Sequence, residues 1–137
     1  MMKMIRSFVR YIGVCLAMVL AINVYAEQAT EQISQQDYLQ AAKSASSEMV
    51  LLDVRSAQEY AQGHIAGAIN ISHNEIEAKL NELAPFKDKT IVVYCRSGRR
   101  AAFAEAILAK NGFNKLRHLT GDMNGWLAAD LPVNTVK

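Results

Sequence analysis

Cys95 is followed within five positions by Arg96, Arg99 and Arg100, with Ser97 and Gly98 between them. The stretch "VVYCRSGRRAA" (92–102) ends an apolar, β-branched run in a thiol and then opens on an alanine-rich run suited to a helix. Strand, six-residue turn and helix, in that order, let the small residues curl the backbone so that its N–H groups converge as an anion site. Arginine adds forked donors that match oxyanions. A cysteine thiol is only a few per cent ionised at pH 7, and helix N-termini and nearby cations raise that share. The pattern therefore predicts a nucleophilic sulfur at Cys95, on the lip of a cradle made by residues 96–100, acting on a small anion. A buried, inert cysteine is the alternative, but core cysteines rarely sit on a glycine-containing loop between a strand and a helix.

Compartment sharpens this reading. Lys3, Arg6 and Arg10 form a basic head, an apolar run covers 11–24, and Val24-Tyr25-Ala26 offers a cleavage site. That is the three-part pattern of a secretory signal peptide. The apolar run is shorter than the ~20 residues a spanning helix needs, so it is read as cleaved rather than as a membrane anchor. The expected organisation is a signal peptide over 1–26 and a single domain over 27–137, exported to the periplasm. Loss of Lys3, Arg6 and Arg10 leaves 12 basic against 13 acidic residues, so the +2 net charge of the whole chain belongs to the leader. Nothing basic then argues for nucleic acid, and no stable membrane anchor remains. Cys15 leaves with the leader, and Cys95 becomes the sole cysteine of the mature chain. In an oxidising compartment a lone cysteine asks for a functional explanation.

The elements that must hold the cysteine follow from period and punctuation. Ser34 with Asp37 starts a helix over 35–44, after a loose polar lead-in at 27–32. The run 49–54 reads as a buried strand, 56–62 as a short helix closed by Gly63, and 68–71 as another strand. Ser72 is expected to cap a helix that runs to about 84 and stops at Pro85. Residues 90–94 are β-branched and aromatic, hence a strand; 100–110 read as a helix ended by Gly112. A strand over 116–119 and a helix over 123–129 complete the pattern. Alternating strands and helices predict a mostly parallel sheet of about five strands with helices on both faces. Ligands of such sheets sit at the carboxyl ends of the strands, where Cys95 falls.

Several other residues receive plainer readings. Asp53 and Arg55 read as a structural ion pair or loop anchor supporting the site. His64 is expected in a structural hydrogen bond; His73 and His118 are expected at the surface. Trp126 and Leu127 are expected in the core or a pocket wall, and Phe103 and Ile107 in helix packing. Three scattered histidines and one cysteine lack metal-ligand spacing, so neither metal nor cofactor is expected.

On these residues the chain resembles the rhodanese (thiosulfate sulfurtransferase) family, in its small single-domain exported form. "LLDVRSAQEYAQGHIAGAINI" (51–71), "IVVYCRSGRRAAFAEAILAKNGF" (91–113) and "LTGDMNGWLAADLPV" (119–133) resemble its opening, active-site and closing segments. The resemblance implies a sulfur relay: Cys95 takes sulfur from a small anionic donor such as thiosulfate and passes it, as a persulfide, to a thiol or cyanide. It also implies donor binding by Arg100 first and Arg96 second, with Arg99 facing solvent, and places Asp53 near the loop. Two rivals remain: a slow sulfur- or redox-sensing module, and an oxyanion-handling enzyme of the arsenate reductase or phosphatase kind. Phosphatases of this fold place five residues between cysteine and arginine, whereas four separate Cys95 from Arg100. One departure stands out. Many members carry two glycines where this chain has Gly121-Asp122, a change expected to adjust the last turn without touching the chemistry.

Overall fold

The computed structural model describes residues 29–44 and 48–137; the expected signal peptide lies outside them. Among the described residues the regular elements are β1 (Gln32–Ile33), α1 (Gln35–Ala42), β2 (Met49–Asp53), α2 (Ala57–Gln62), β3 (Ile69–Asn70), α3 (Leu80–Leu83), a 3₁₀ turn (Ala84–Phe86), β4 (Thr90–Tyr94), α4 (Arg99–Lys110), β5 (Leu116–Leu119) and α5 (Asp122–Ala128). The strands form one parallel sheet in the order β1-β5-β4-β2-β3. β4 lies at its centre, flanked over its whole length by β2, with Asp53 opposite Tyr94 and Val93 opposite both Leu52 and His118.

Because side chains alternate along a strand, the sheet feeds two cores. Leu52, Ile91, Val93 and Cys95 point to one face and meet Ala101, Ala104 and Leu108 of α4. Leu51, Val92, Tyr94 and Leu119 point to the other and meet Tyr38, Met123 and Trp126. Burying each large aliphatic side chain contributes about 1.5–3 kcal/mol, and both layers are needed to shield a sheet whose central strand carries the buried run Ile91, Val92 and Val93. Two helix starts, those of α1 and α2, follow the sequence signals. Ser34 accepts the Asp37 N–H at 3.0 Å, and Ser56 with Glu59 forms a complete capping box on α2.

Four expectations about the fold need correction. The lead-in contributes a strand: β1 is anchored to β5 by His118 N–H to the Glu31 carbonyl (2.8 Å) and Thr120 N–H to the Ile33 carbonyl (2.9 Å). The long helix after Ser72 is instead a series of turns ending in the four residues of α3. The Ser72 hydroxyl is drawn away from capping to the Arg55 carbonyl (3.1 Å), and His73 N–H is held by the Val54 carbonyl (3.0 Å). Phe103 is 54 % exposed rather than packed, meeting His73 edge-on at 6.0 Å between ring centroids. His118 is buried, not superficial, because β5 lies between β1 and β4 and its residue 118 faces α4.

Candidate active site

Three elements converge on Cys95. It is the first residue beyond β4, at the carboxyl edge of the sheet, and Arg96–Gly98 turn the chain into α4. Gly98 serves as the N-cap of α4 at φ +108°, in the left-handed region that favours glycine, and its N–H donates to Cys95 Sγ at 3.0 Å. The loop is braced from α5: Met123 N–H donates to the Cys95 carbonyl and Asn124 N–H to the Arg96 carbonyl, each at 3.0 Å.

The sulfur does not stand on an open lip. Cys95 is only 1 % exposed, a correction to the sequence reading, because the turn folds over Sγ and the residue packs into the α4-side core.

The loop arginines are placed differently from one another. Arg96 and Arg99 are exposed; Arg100 is half-buried and occupied. Its Nη1 and Nη2 donate to Glu59 Oε2 (2.7 Å) and Oε1 (2.9 Å), a bidentate pair with about a quarter to a third of each side chain in solvent. Arg100 holds the Glu59 carboxyl down to about 2, burial opposes, and Ser56 adds to the lowering. In return Glu59, with a weaker contribution from Cys95, favours the charged guanidinium. Glu59 thus has two tasks, capping α2 through Ser56 and holding Arg100. Its place in a Ser-x-x-Glu capping box was visible in the sequence, but its partner 41 residues away was not.

Two clefts flank the loop. One, about 570 Å³, is lined by His73, Asn74, Glu77, Arg99, Arg100 and Phe103. The other, about 380 Å³, carries Arg55, Glu59, Arg96, Asn124 and Leu127. Ser97 is an exposed residue of the turn between them. Cationic side chains therefore rim both approaches.

Asp53 closes β2 beside Tyr94, and Arg55 carries their ion pair to the wall of the second cleft. Arg55 donates through Nε and Nη2 to the Asp53 carboxylate (2.6–3.1 Å) and through Nη2 to the Gly63 carbonyl (2.8 Å). The Tyr94 hydroxyl donates to Asp53 Oδ2 at 2.7 Å and accepts the Ile65 N–H, so the residue before the cysteine is fixed at its tip. Burial, reinforced by Asp53, pushes the Tyr94 phenol up and keeps it a neutral donor. His64 Nδ1 bonds to the Tyr60 carbonyl (2.9 Å) and its ring stacks on Tyr60 at 3.7 Å. Trp126 is buried, while Leu127 is half-exposed on a cleft wall.

The opposite side of the loop holds a cluster that the sequence reading passed over. Asp122 Oδ1 accepts the Cys95 N–H at 2.8 Å, and Oδ2 meets His118 Nε2 at 3.0 Å. His118 Nδ1 meets Glu105 Oε1 at 2.7 Å, and all three residues are buried. Asp122, then Glu105, push the imidazole up to about 10 against the opposing effect of burial. The change from glycine at 122 thus reaches beyond the last turn to the Cys95 loop itself. One signal was available: Glu105 shares its helix stripe with Ala101, Ala104 and Leu108, and a carboxylate there demands a buried partner.

A parallel sheet with a cysteine-to-helix loop at its carboxyl edge defines a class, and residues 34–129 match the rhodanese-like domain family. The chain belongs to that family. It is 34 % identical over 86 residues to a sulfurtransferase of Allochromatium vinosum, covering 63 % of this chain and 78 % of that protein. Against the thiosulfate sulfurtransferase PspE of Escherichia coli it is 36 % identical over 70 residues, covering 51 % of this chain and 67 % of that one. Among solved structures, a rhodanese-related protein of Thermoplasma volcanium superposes with a TM-score of 0.66 at 30 % identity, over 76 % of this chain and 97 % of that one. A thiosulfate sulfurtransferase of Pseudomonas aeruginosa gives 0.68 at 27 % identity, over 83 % of this chain but 22 % of the larger protein. Membership in this family points to a transferase of sulfur.

Proposed function

We propose that the protein is an exported rhodanese-type sulfurtransferase in which Cys95 carries sulfur as a persulfide. The observation that carries this reading is the Gly98 N–H aimed at Cys95 Sγ at 3.0 Å, within a loop rimmed by Arg96, Arg99 and Arg100. In the first step the Cys95 sulfur, as thiolate, attacks the outer sulfur of thiosulfate. A new S–S bond forms to Cys95, the old one breaks, and sulfite leaves with its electron pair. In the second step an acceptor thiolate or cyanide attacks the outer sulfur of the persulfide and Cys95 leaves as thiolate. Splitting the transfer lets one loop stabilise both anionic states of the cysteine. Arg100 is the donor's counter-ion, which requires the anion to displace or share Glu59; Arg96 and Arg99 draw it in. Asp53 and Arg55 support the loop through Tyr94 without touching substrate.

Periplasmic export rests on the basic head, apolar run and small-residue site over 1–26. N-terminal sequencing of the exported protein should begin at Glu27; an intact Met1 on a membrane-bound chain contradicts export with cleavage.

Intact-mass measurement after thiosulfate treatment tests the relay. A gain of one sulfur atom is expected in the native chain and none in Cys95→Ser; an adduct on Cys95→Ser removes the proposal. A second reading, a low-turnover sulfur-sensing module, draws on the burial of Cys95. In that case the adduct forms but neither cyanide nor a small thiol removes it.

A further inference from the structure

Position 122 has φ +52°, a backbone that glycine adopts freely and an aspartate does not. An aspartate persists there because its side chain is fully engaged, by Cys95 N–H on one oxygen and His118 on the other. The second relevant fact concerns Gly98, whose N–H supplies the bond to Sγ. A Cβ built on Gly98 would lie 3.1 Å from Asp122 Oδ2 and 3.5 Å from His118 Nε2. The side of Gly98 on which a side chain would stand therefore faces the Asp122–His118 pair, with no room for one to be added freely. Asp122 lies at both ends of one turn, bonding the N–H of Cys95 and closing off the bare face of Gly98.

We propose that Asp122 is a positioning residue for sulfur transfer, held in place by His118 and Glu105, that sets the Gly98 amide against the Cys95 sulfur. The inference rests on Cys95 being the sulfur carrier. Asp122 touches no substrate; it acts through the two ends of the turn. The cluster is stiff because every polar atom of its imidazole is used: Nε2 toward Asp122 of α5 and Nδ1 toward Glu105 of α4. On the strand side, His118 stands beside Val93 of β4, two residues before Cys95 on the same sheet face, and beside the uncharged Gln32 of β1. Arg117 and Glu31 pair with each other. With two carboxylates as partners, His118 is a cation at neutral pH and donates from both nitrogens. A protonated ring between two anchored acceptors cannot rotate without breaking one charge-assisted bond.

The test compares Asp122→Gly and Asp122→Asn with the native full-length chain. Glycine suits the φ of this position, so a backbone-only role predicts normal or better stability with unchanged kinetics. The positioning role predicts that kcat for thiosulfate falls by ~10- to 100-fold in Asp122→Gly, with KM within about twofold of native, since misplacement of about 1 Å costs up to ~100-fold. Asp122→Asn keeps an acceptor for Cys95 N–H and lowers kcat less, while the His118 titration followed by NMR falls by about one pH unit or more. Cys95 alkylation by iodoacetamide at fixed pH, which needs no sulfur donor, should change by about threefold or more in both variants. Native kcat and alkylation rate in Asp122→Gly overturn the proposal, as does a rise in KM at constant kcat. Should the native chain transfer no sulfur, the functional reading fails, and alkylation and the His118 titration still decide the positioning role.

Discussion

Two charge clusters flank the Cys95 loop, and they differ in one respect, access to water. On one side Glu59 and Arg100 face each other across α2 and α4, with roughly a quarter to a third of each side chain exposed. On the other, Glu105, His118 and Asp122 lie in the core with about a tenth or less of each side chain exposed. Each pairs a cation with carboxylates on other elements, 41 residues away for Arg100 but only 13 and 4 away for His118. The exposed pair can open, because water and a substrate anion compensate for the lost partner. The buried cluster cannot, since each carboxylate left behind would be an uncompensated charge in low dielectric. The proposed relay, which has to admit an anion and then hold a reactive sulfur still, would use one of each.

The largest effect expected from this contrast is thermodynamic. His118→Ala leaves two carboxylates facing each other in the core and should lower stability by about 3–5 kcal/mol, the range for breaking a buried pair. Arg100→Ala should cost less than about 1 kcal/mol, as exposed pairs do. Urea unfolding of both variants decides it, and equal midpoints would abolish the distinction. The next effect is kinetic. Arg100→Ala should raise KM for thiosulfate by roughly tenfold while kcat moves little, the mark of lost binding in ground and transition states alike.

Glu59→Gln sharpens the comparison further. It weakens the internal competitor for Arg100, so KM should fall by about two- to fivefold, the equivalent of an exposed pair of up to ~1 kcal/mol. A rise in KM instead would mean that Glu59 aims the guanidinium rather than restraining it. The smallest effects are in pH dependence, and they carry opposite signs. His118 has its pKa raised on folding, so its stabilisation is complete below about 6.5 and is lost as pH climbs through about 10. Glu59 has its pKa lowered, so its contribution is present above about 4.5 and is lost as pH drops toward 2. The stability gap between native and His118→Ala should therefore narrow above pH 10, and that between native and Glu59→Gln below pH 4.

What the sequence disclosed divides along the same line. β4 and β5 were legible to the residue, β4 because a run of β-branched residues has one good interpretation and β5 from the two leucines that bound it, and Cys95 and Gly98 stood out by type. β1 was not legible: two residues carry no period, and only pairing with β5 makes Gln32–Ile33 a strand. The turns after Ser72 were misread as helix because the polar hooks from Arg55 and Val54 are tertiary. The buried cluster stayed hidden for the same reason. His118 and Asp122 each have an ordinary surface reading alone, the stripe of Glu105 asks for a partner without naming it, and only the adjacency of α4, β5 and α5 brings the three together.

The capping box on α2 has one last consequence. A single carboxylate, Glu59, secures the first turn of that helix and also neutralises the rim of the site. Were an anion to seat on Arg100, as the proposed relay requires, the carboxylate would be left to serve Ser56 alone, and occupancy would reach backbone amides that touch no ligand. Slower deuterium uptake over 56–60 on adding sulfite would make this helix start a built-in occupancy gauge.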